Sequence, residues 1–206
     1  MGTFLTLEGL DGCGKSTQAV LLSRWLEDYT GRESVRTYEP GGWNGGDKLR
    51  EILLHTTLAA KSELFLFMSD RSEHVKRIIM PALKADKNVL CERYCDSSIA
   101  YQSGGHGLKF EYVVKIMKAG HFVEPDMTIY YDIDPERALN RLRERRGHDR
   151  FEDSGLAFLK RVSNTYRRLA KLNSERIKLI KVDDLNIMQV YEQTIEIIKN
   201  SCVLFK

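Results

Sequence analysis

The sequence predicts an α/β fold, with a five-stranded parallel sheet flanked by helices on both faces. Three observations predict it. Short apolar runs alternate with segments whose apolar residues recur at helical spacing. At 206 residues the chain suits one domain of this type. Glycines and charged residues gather just after the apolar runs, at the carboxyl ends of strands, where such sheets bind ligands.

Taken in order, residues 3–8 form a short apolar run that ends in a glycine loop. Residues 16–28 carry Leu21, Leu22, Trp25 and Leu26 at helical spacing. Residues 34–38 are a second strand. Leu49, Ile52 and Leu53 mark a helix after the glycine-rich turn at 41–46. Val75, Ile78, Ile79, Ala82 and Leu83 form the stripe of a buried helix face, which Pro81 should kink or divide. Strands follow at 88–91, 127–133 and 177–182. Between and after them lie helices marked by Phe110, Val113, Val114 and Met117, by Leu156, Leu159, Val162, Tyr166 and Leu169, and by residues 187–199. Asp134 followed by Pro135 reads as a helix N-cap and a first-turn proline. There is no internal repeat, low-complexity tract or long linker, so residues 1–206 are expected to form a single domain.

Composition narrows the function classes. With 42% hydrophobic and 30% charged residues, the chain accommodates both a packed core and a polar surface. The apolar runs are far shorter than the ~20 residues of a membrane span. The N-terminus enters a strand pattern without a basic leader, so a cytoplasmic location is expected. A net charge of +3, from 32 basic and 29 acidic residues, is too balanced to argue for nucleic-acid binding. Cys13, Cys91, Cys95 and Cys202 show no zinc-type pair spacing and read as reduced thiols.

The most specific motif is Gly9-Leu10-Asp11-Gly12-Cys13-Gly14-Lys15-Ser16, followed by Thr17. It has the phosphate-loop pattern, and it sits after a strand and opens a helix, as that pattern requires. Glycines let successive backbone N–H groups point at phosphate oxygens, and the helix N-terminus adds a favourable dipole. Lys15 can reach the β- and γ-phosphates of ATP, and the Ser16 hydroxyl can ligate Mg²⁺. The fold class is therefore that of a P-loop NTPase. A GTPase would need a guanine-reading Asn-Lys-x-Asp segment, which the sequence lacks, and the chain is short for a motor. A kinase remains, and a kinase needs an acceptor site.

Strand ends supply one. Glu39-Pro40-Gly41-Gly42 follows the second strand and Glu92-Arg93-Tyr94 the third. Glu92 is placed to hold Mg²⁺ opposite Ser16, with Arg93 facing the same anionic centre; a surface ion pair between Glu92 and Arg93 is the plainer reading. Phe67 and Arg71 are one helical turn apart, and an aromatic plane beside a guanidinium suits a planar base. Ser98, Tyr101 and Gln102 fall at i, i+3 and i+4, on one face of a helix start rich in polar groups. Arg141, Arg143, Arg145, Arg146 and Arg150 crowd a ten-residue stretch. A solvated face or a nucleic-acid patch is the plain reading of such a run; after the fourth strand of a P-loop protein, an arginine-bearing lid over ATP is the sharper one.

Together these motifs resemble the thymidylate kinase family over nearly the whole chain: residues 8–18, Glu39-Pro40-Gly41-Gly42, Phe67 with Asp70-Arg71, Glu92-Arg93-Tyr94, Asp96-Ser97-Ser98 with Ala100-Tyr101-Gln102, Pro125-Asp126 and Asp149-Arg150-Phe151-Glu152. The resemblance implies ATP as donor, Mg²⁺, dTMP as acceptor and a homodimer, with no nucleic acid or membrane partner. It implies that Phe67 stacks on thymine, Arg71 bonds its edge, and Ser98 and Gln102 lie at the base. Tyr101 would crowd the ribose 2′ position, Asp11 would sit at the 3′-hydroxyl and Arg93 would grip the acceptor phosphate. Glu39 and Glu152 join this substrate set. The lid, about residues 142–153, resembles the bacterial pattern, in which arginines, here Arg146 and Arg150, act on the transferring phosphoryl group with Lys15 and Arg93. Tyr38, Trp43 and Glu92 depart from the residues the family commonly has there. A kinase of another pyrimidine deoxynucleotide or a deoxynucleoside, and a non-catalytic nucleotide switch, are the alternatives.

Overall fold

The computed structural model describes residues 2–144 and 155–201. Five strands, β1 (Phe4–Gly9), β2 (Ser34–Tyr38), β3 (Asn88–Glu92), β4 (Met127–Asp132) and β5 (Ile177–Lys181), form one sheet in the order β2-β3-β1-β4-β5. Every pairing is parallel. The central strands β1 and β4 are buried along their whole length, as near-continuous apolar runs require of a sheet covered on both faces. Alternation along β3 shows the two layers. Val89 and Cys91 pack with Phe4 and Leu83 on one side, whereas Leu90 joins Leu5, Leu7 and Leu22 in the larger core on the other.

Register brings the strand ends together. Leu7 pairs with Glu92, and Tyr38 with Glu92, so β2 and β3 finish level with each other and two residues before β1 ends at Gly9. The Arg93 amide still bonds the Leu7 carbonyl (2.9 Å), and the Glu39 amide the Glu92 carbonyl (2.9 Å). The acidic and basic residues that follow these strands therefore emerge side by side.

Helix α1 (Lys15–Thr30) joins β1 to β2, and α2 (Asp47–His55) and α3 (Ala60–His74) lie between β2 and β3. α3 continues through a π-helical stretch, Val75–Ile79, into α4 (Met80–Lys84). The Met80 amide reaches back five residues to Val75, immediately before Pro81. The kink expected at Pro81 is thus taken up by a wider turn, because proline has no N–H to give and its ring crowds the preceding turn. A second π stretch, Ile99–Gly105, extends α5 (Cys95–Ser98). It packs on α8 (Gly155–Leu172) so closely that a Cβ on Gly105 would lie 2.5 Å from the Phe158 ring. α6 (Phe110–Ala119), α7 (Pro135–Arg143) and α9 (Ile187–Asn200) complete the helices. Asp134 caps α7 by accepting from the Glu136 and Arg137 amides, with Pro135 in the first turn. α9 opens with a reciprocal cap between Asn186 and Gln189.

Candidate active site

At the carboxyl edge of β1, β2 and β3 lies a cleft of about 370 Å³. Its phosphate end is the loop from Gly9 to Thr17. Gly12 and Gly14 hold φ of 82° and 98°, a region open to glycine with little strain. A Cβ on Gly12 would also stand 3.0 Å from the Ala138 carbonyl of α7, so the loop and that helix interlock. Lys15, 6% exposed, is held by its own loop: Nζ donates to the carbonyls of Gly9 (3.0 Å) and Leu10 (2.9 Å) and lies 3.7 Å from Asp11 Oδ1. Leu10 and Cys13 turn their side chains into the core, so they serve this end through their backbone.

Ser16 Oγ donates to Glu92 Oε2 at 2.6 Å. A hydroxyl and a carboxylate that meet at an open cleft are the donor set from which Mg²⁺ takes one or two protein oxygens while keeping water and phosphate oxygens. No group of three or more acidic, histidine or cysteine side chains is gathered to hold a metal among the described residues.

Arg93 does not pair with its neighbour Glu92. Its backbone turns to φ 66°, an uncommon conformation for a side-chain-bearing residue. The guanidinium reaches across the cleft, donating to Asp11 Oδ1 (2.7 Å), Tyr101 Oη (3.1 Å) and Ser97 Oγ (3.2 Å). It also lies over the Tyr101 ring at 4.9 Å. Burial alone would raise the Asp11 carboxyl, but the charges of Arg93 and Lys15 hold it well below the usual carboxylate range. Asp11 is accordingly anionic throughout the working pH range.

The other end of the cleft is built on α3 and the Ile99–Gly105 stretch. Phe67 and Arg71 both line the cleft, as do Ser98, Tyr101 and Gln102. Arg71 is only 1% exposed, and its charge is answered by Glu39: Nε donates to Glu39 Oε2 at 2.8 Å and Nη2 lies 2.7 Å from the same oxygen. Nη2 also donates to Ser98 Oγ (3.0 Å), and Nη1 points at Met117 Sδ (3.2 Å). Glu39 in turn lies 3.0 Å from His74 Nδ1, whose Nε2 is 2.6 Å from Thr37 Oγ1. Glu39 therefore serves Arg71 from behind while it also borders the cleft. Asp70, next along α3, accepts from the Gly41 amide and from Trp43 Nε1 (2.8 Å), so Trp43 packs on this chain's own loop.

Sequence reasoning missed several residues. Arg50 lines the cleft, resting over Tyr38 at 5.2 Å and bonding the Pro40 carbonyl at 2.7 Å. It sits on a surface-type helix, and no local pattern marks it. Glu8 and Ser97 were visible only as members of motifs. In the structure Glu8 accepts from the Tyr94 amide (2.7 Å), Ser97 Oγ (2.5 Å) and Tyr166 Oη (2.9 Å). Burial, reinforced by Asp96, pushes its carboxyl up to about 7. A glutamate inside an apolar central strand was the available signal. Arg141, the first of the arginine run, bonds the Gly12 carbonyl at 3.0 Å. Arg146, Arg150 and Glu152 lie outside the described residues.

Comparison with known proteins places this geometry. Residues 7–194 match the family described as Thymidylate kinase. A thymidylate kinase of Kosmotoga olearia is 39% identical over 196 residues, covering 94% of this chain and 93% of its own. One from Desulfovibrio desulfuricans is 41% identical over 188 residues, 86% of each chain. The crystal structure of thymidylate kinase from Ehrlichia chaffeensis superposes with a TM-score of 0.79 at 32% identity, covering 96% of this chain and 98% of that one.

Proposed function

The chain belongs to the thymidylate kinase family, enzymes that transfer the γ-phosphoryl group of ATP to dTMP to give dTDP and ADP, and we propose which of its residues carry each part of that transfer. The observation behind the assignment is the convergence of a phosphate loop, an acid–hydroxyl pair and a bridging arginine on one cleft, with an aromatic and a buried guanidinium at its far end.

The loop from Gly9 to Thr17 binds ATP. Lys15 is the cation for the β- and γ-phosphates; exchange of its loop carbonyls for phosphate oxygens replaces neutral acceptors by charged ones. Ser16 and Glu92 are the protein oxygens that would hold Mg²⁺. When bound, that ion would neutralise charge on the phosphoryl oxygens. At the acceptor end, Phe67 offers its face to the base, with Arg71, Ser98 and Gln102 at the base edge. Tyr101 and Asp11 stand where the sugar would lie, and Glu39 anchors Arg71. Arg93 grips the acceptor phosphate and holds it against the donor's negative charge. The attacking phosphate oxygen is already anionic, so positioning and charge stabilisation carry the rate, with no strong general base required.

The same proposal treats residues 1–206 as one domain whose segment at about 142–153 closes over ATP, with Arg146, Arg150 and Glu152 acting from that lid. Arg141 bonded to Gly12 supports a lid that begins at the phosphate loop. A homodimer in the cytoplasm belongs to the proposal too. Phe65 on α3 is 47% exposed and gives a second copy an apolar side chain to cover, and no helix among the described residues is long and apolar enough to cross a membrane.

The test is ADP release from ATP and Mg²⁺ with dTMP, dUMP, UMP, dCMP or thymidine as acceptor. Stimulation by dTMP above the others is expected. Stimulation by thymidine or dCMP instead would refute the assignment of the acceptor end.

A further inference from the structure

Behind the base end of the cleft stands a buried carboxylate that the transfer reaction does not use. Glu63, 0% exposed, lies on α3 four residues before Phe67 and eight before Arg71, so all three share one side of the helix. Phe67 and Arg71 line the cleft, whereas Glu63 meets Gln102: its Oε1 accepts from Gln102 Nε2 at 2.7 Å and lies 3.3 Å from His106 Nε2. Gln102 is 1% exposed and lines the cleft, and its Oε1 has no hydrogen-bond partner among the described residues.

The chemistry of these groups decides which way round the amide stands. A carboxylate only accepts hydrogen bonds, and a primary amide has one donating and one accepting end. With its NH₂ end held by Glu63, Gln102 keeps its carbonyl at the opposite end of the amide, as an acceptor with no partner among the described residues. On the same wall, three of Arg71's nitrogens are directed at Glu39, Ser98 and Met117, and Nη1 retains a further N–H. The residues that carry this acceptor and this donor thus line the same cleft.

We infer that Glu63 is a positioning residue for base selection: it locks the Gln102 amide so that the cleft presents an acceptor beside the Arg71 donor and takes a pyrimidine with N–H at ring position 3 and a carbonyl at position 4. The inference rests on the reading of this end as the base site. A cytosine ring offers a bare nitrogen at position 3 and an amino group at position 4. Its ring nitrogen would meet the Gln102 carbonyl lone pair to lone pair. Turning the amide would relieve that contact only by setting its carbonyl against Glu63, again acceptor against acceptor. Glu63 thereby makes the wrong base costly as well as the right one favourable.

The test compares kcat/KM for dTMP and 5-methyl-dCMP, which share the methyl group and differ only at positions 3 and 4. Wild type, Glu63→Gln and Glu63→Asp are measured. Glutamine at 63 can present either end, so both amides can turn together; aspartate still only accepts. Wild type is expected to prefer dTMP by about 100-fold or more. Glu63→Gln should lower that preference about tenfold, through the two nucleotides' KM values and not the KM for ATP, whereas Glu63→Asp should keep it. Preference within about twofold of wild type in Glu63→Gln, or lost equally in both variants, overturns the inference while leaving the acceptor site assigned. A wild type that prefers 5-methyl-dCMP overturns the acceptor assignment itself, and the inference with it. Should Glu63→Gln fail to fold, Glu63→Asp still decides: retained preference supports the lock, and lost preference overturns it.

Discussion

Glu8 makes the stability of this protein depend on pH in a direction opposite to that of an ordinary salt-bridged acid. Its carboxyl is fully buried, and desolvation, with Asp96 as a second negative charge, raises it from 4.5 to about 7. Between those values the folded chain binds a proton that the unfolded chain has already lost. Stability from this group therefore falls as pH rises from about 4.5 to about 7, and above 7 the full cost is present. At about 1.4 kcal/mol per pH unit, the gap between 4.5 and about 7 corresponds to about 3 kcal/mol. Glu8→Gln removes the titration and keeps the shape. Its amide carbonyl can accept from the Tyr94 amide, while its NH₂ can face the Ser97 and Tyr166 hydroxyls, which accept as readily as they donate. Any fixed difference between the proteins drops out when slopes are compared. Asp70, also raised by burial, contributes equally to both, and Asp11 titrates below the window. Urea unfolding of both proteins from about pH 5 to about pH 8 should show wild type losing about 2–3 kcal/mol relative to Glu8→Gln. Parallel curves, or a wild type that gains relative to the variant as pH rises, would refute the assignment of a proton to buried Glu8.

Other perturbations test the cleft. Lys15→Ala should lower phosphoryl transfer by about 100-fold or more in an ADP-release assay, with circular dichroism unchanged; a near-normal rate would remove Lys15 from the phosphate site. Glu92→Gln should raise the Mg²⁺ concentration needed for half-maximal rate by about tenfold, read from a Mg²⁺ titration at fixed ATP; an unmoved midpoint would sever Glu92 from the ion. Arg71→Ala leaves Glu39 buried without its cation, so about 3–5 kcal/mol of stability and about 10 °C of melting temperature should go, along with dTMP binding more than ATP binding; a melt unchanged by the substitution would show that the pair is not buried in solution. Gly105→Ala drives a methyl group to within 2.5 Å of Phe158 and should cost about 1–3 kcal/mol in urea unfolding; an unchanged midpoint would mean that α8 yields at little cost.

The fold class and the order of its elements were legible because they rest on local signals. Strand runs, helical stripes, the Asp134-Pro135 start of α7 and the phosphate loop are each written within a dozen residues, and β2 was bounded to the residue. Some boundaries moved by a residue or two: α1 begins at Lys15, with Gly14 at its N-cap, and extends to Thr30, where Gly31 closes it in the left-handed conformation. Pro81 announced a disturbance, but not its form, a wide π-type turn within a continuing helix. Of the cleft, the phosphate loop and the strand-end acids could be read directly, while the base-end roles came from resemblance.

What the sequence by itself determined, then, is the parallel α/β sheet, the phosphate loop and the family. What only the tertiary structure decided is the wiring among those parts: that Arg93 faces Asp11 and not its neighbour Glu92, that Arg71 is neutralised by Glu39, that Arg50 belongs to the cleft, and that Glu63 holds Gln102. The physical reason is range. Propensity, capping and periodicity act between residues a few positions apart, whereas these partners stand 82, 32 and 39 positions apart for Arg93–Asp11, Arg71–Glu39 and Gln102–Glu63. They meet because parallel register brings β1, β2 and β3 to a common end, and because burial forces each charge and amide there to find a partner.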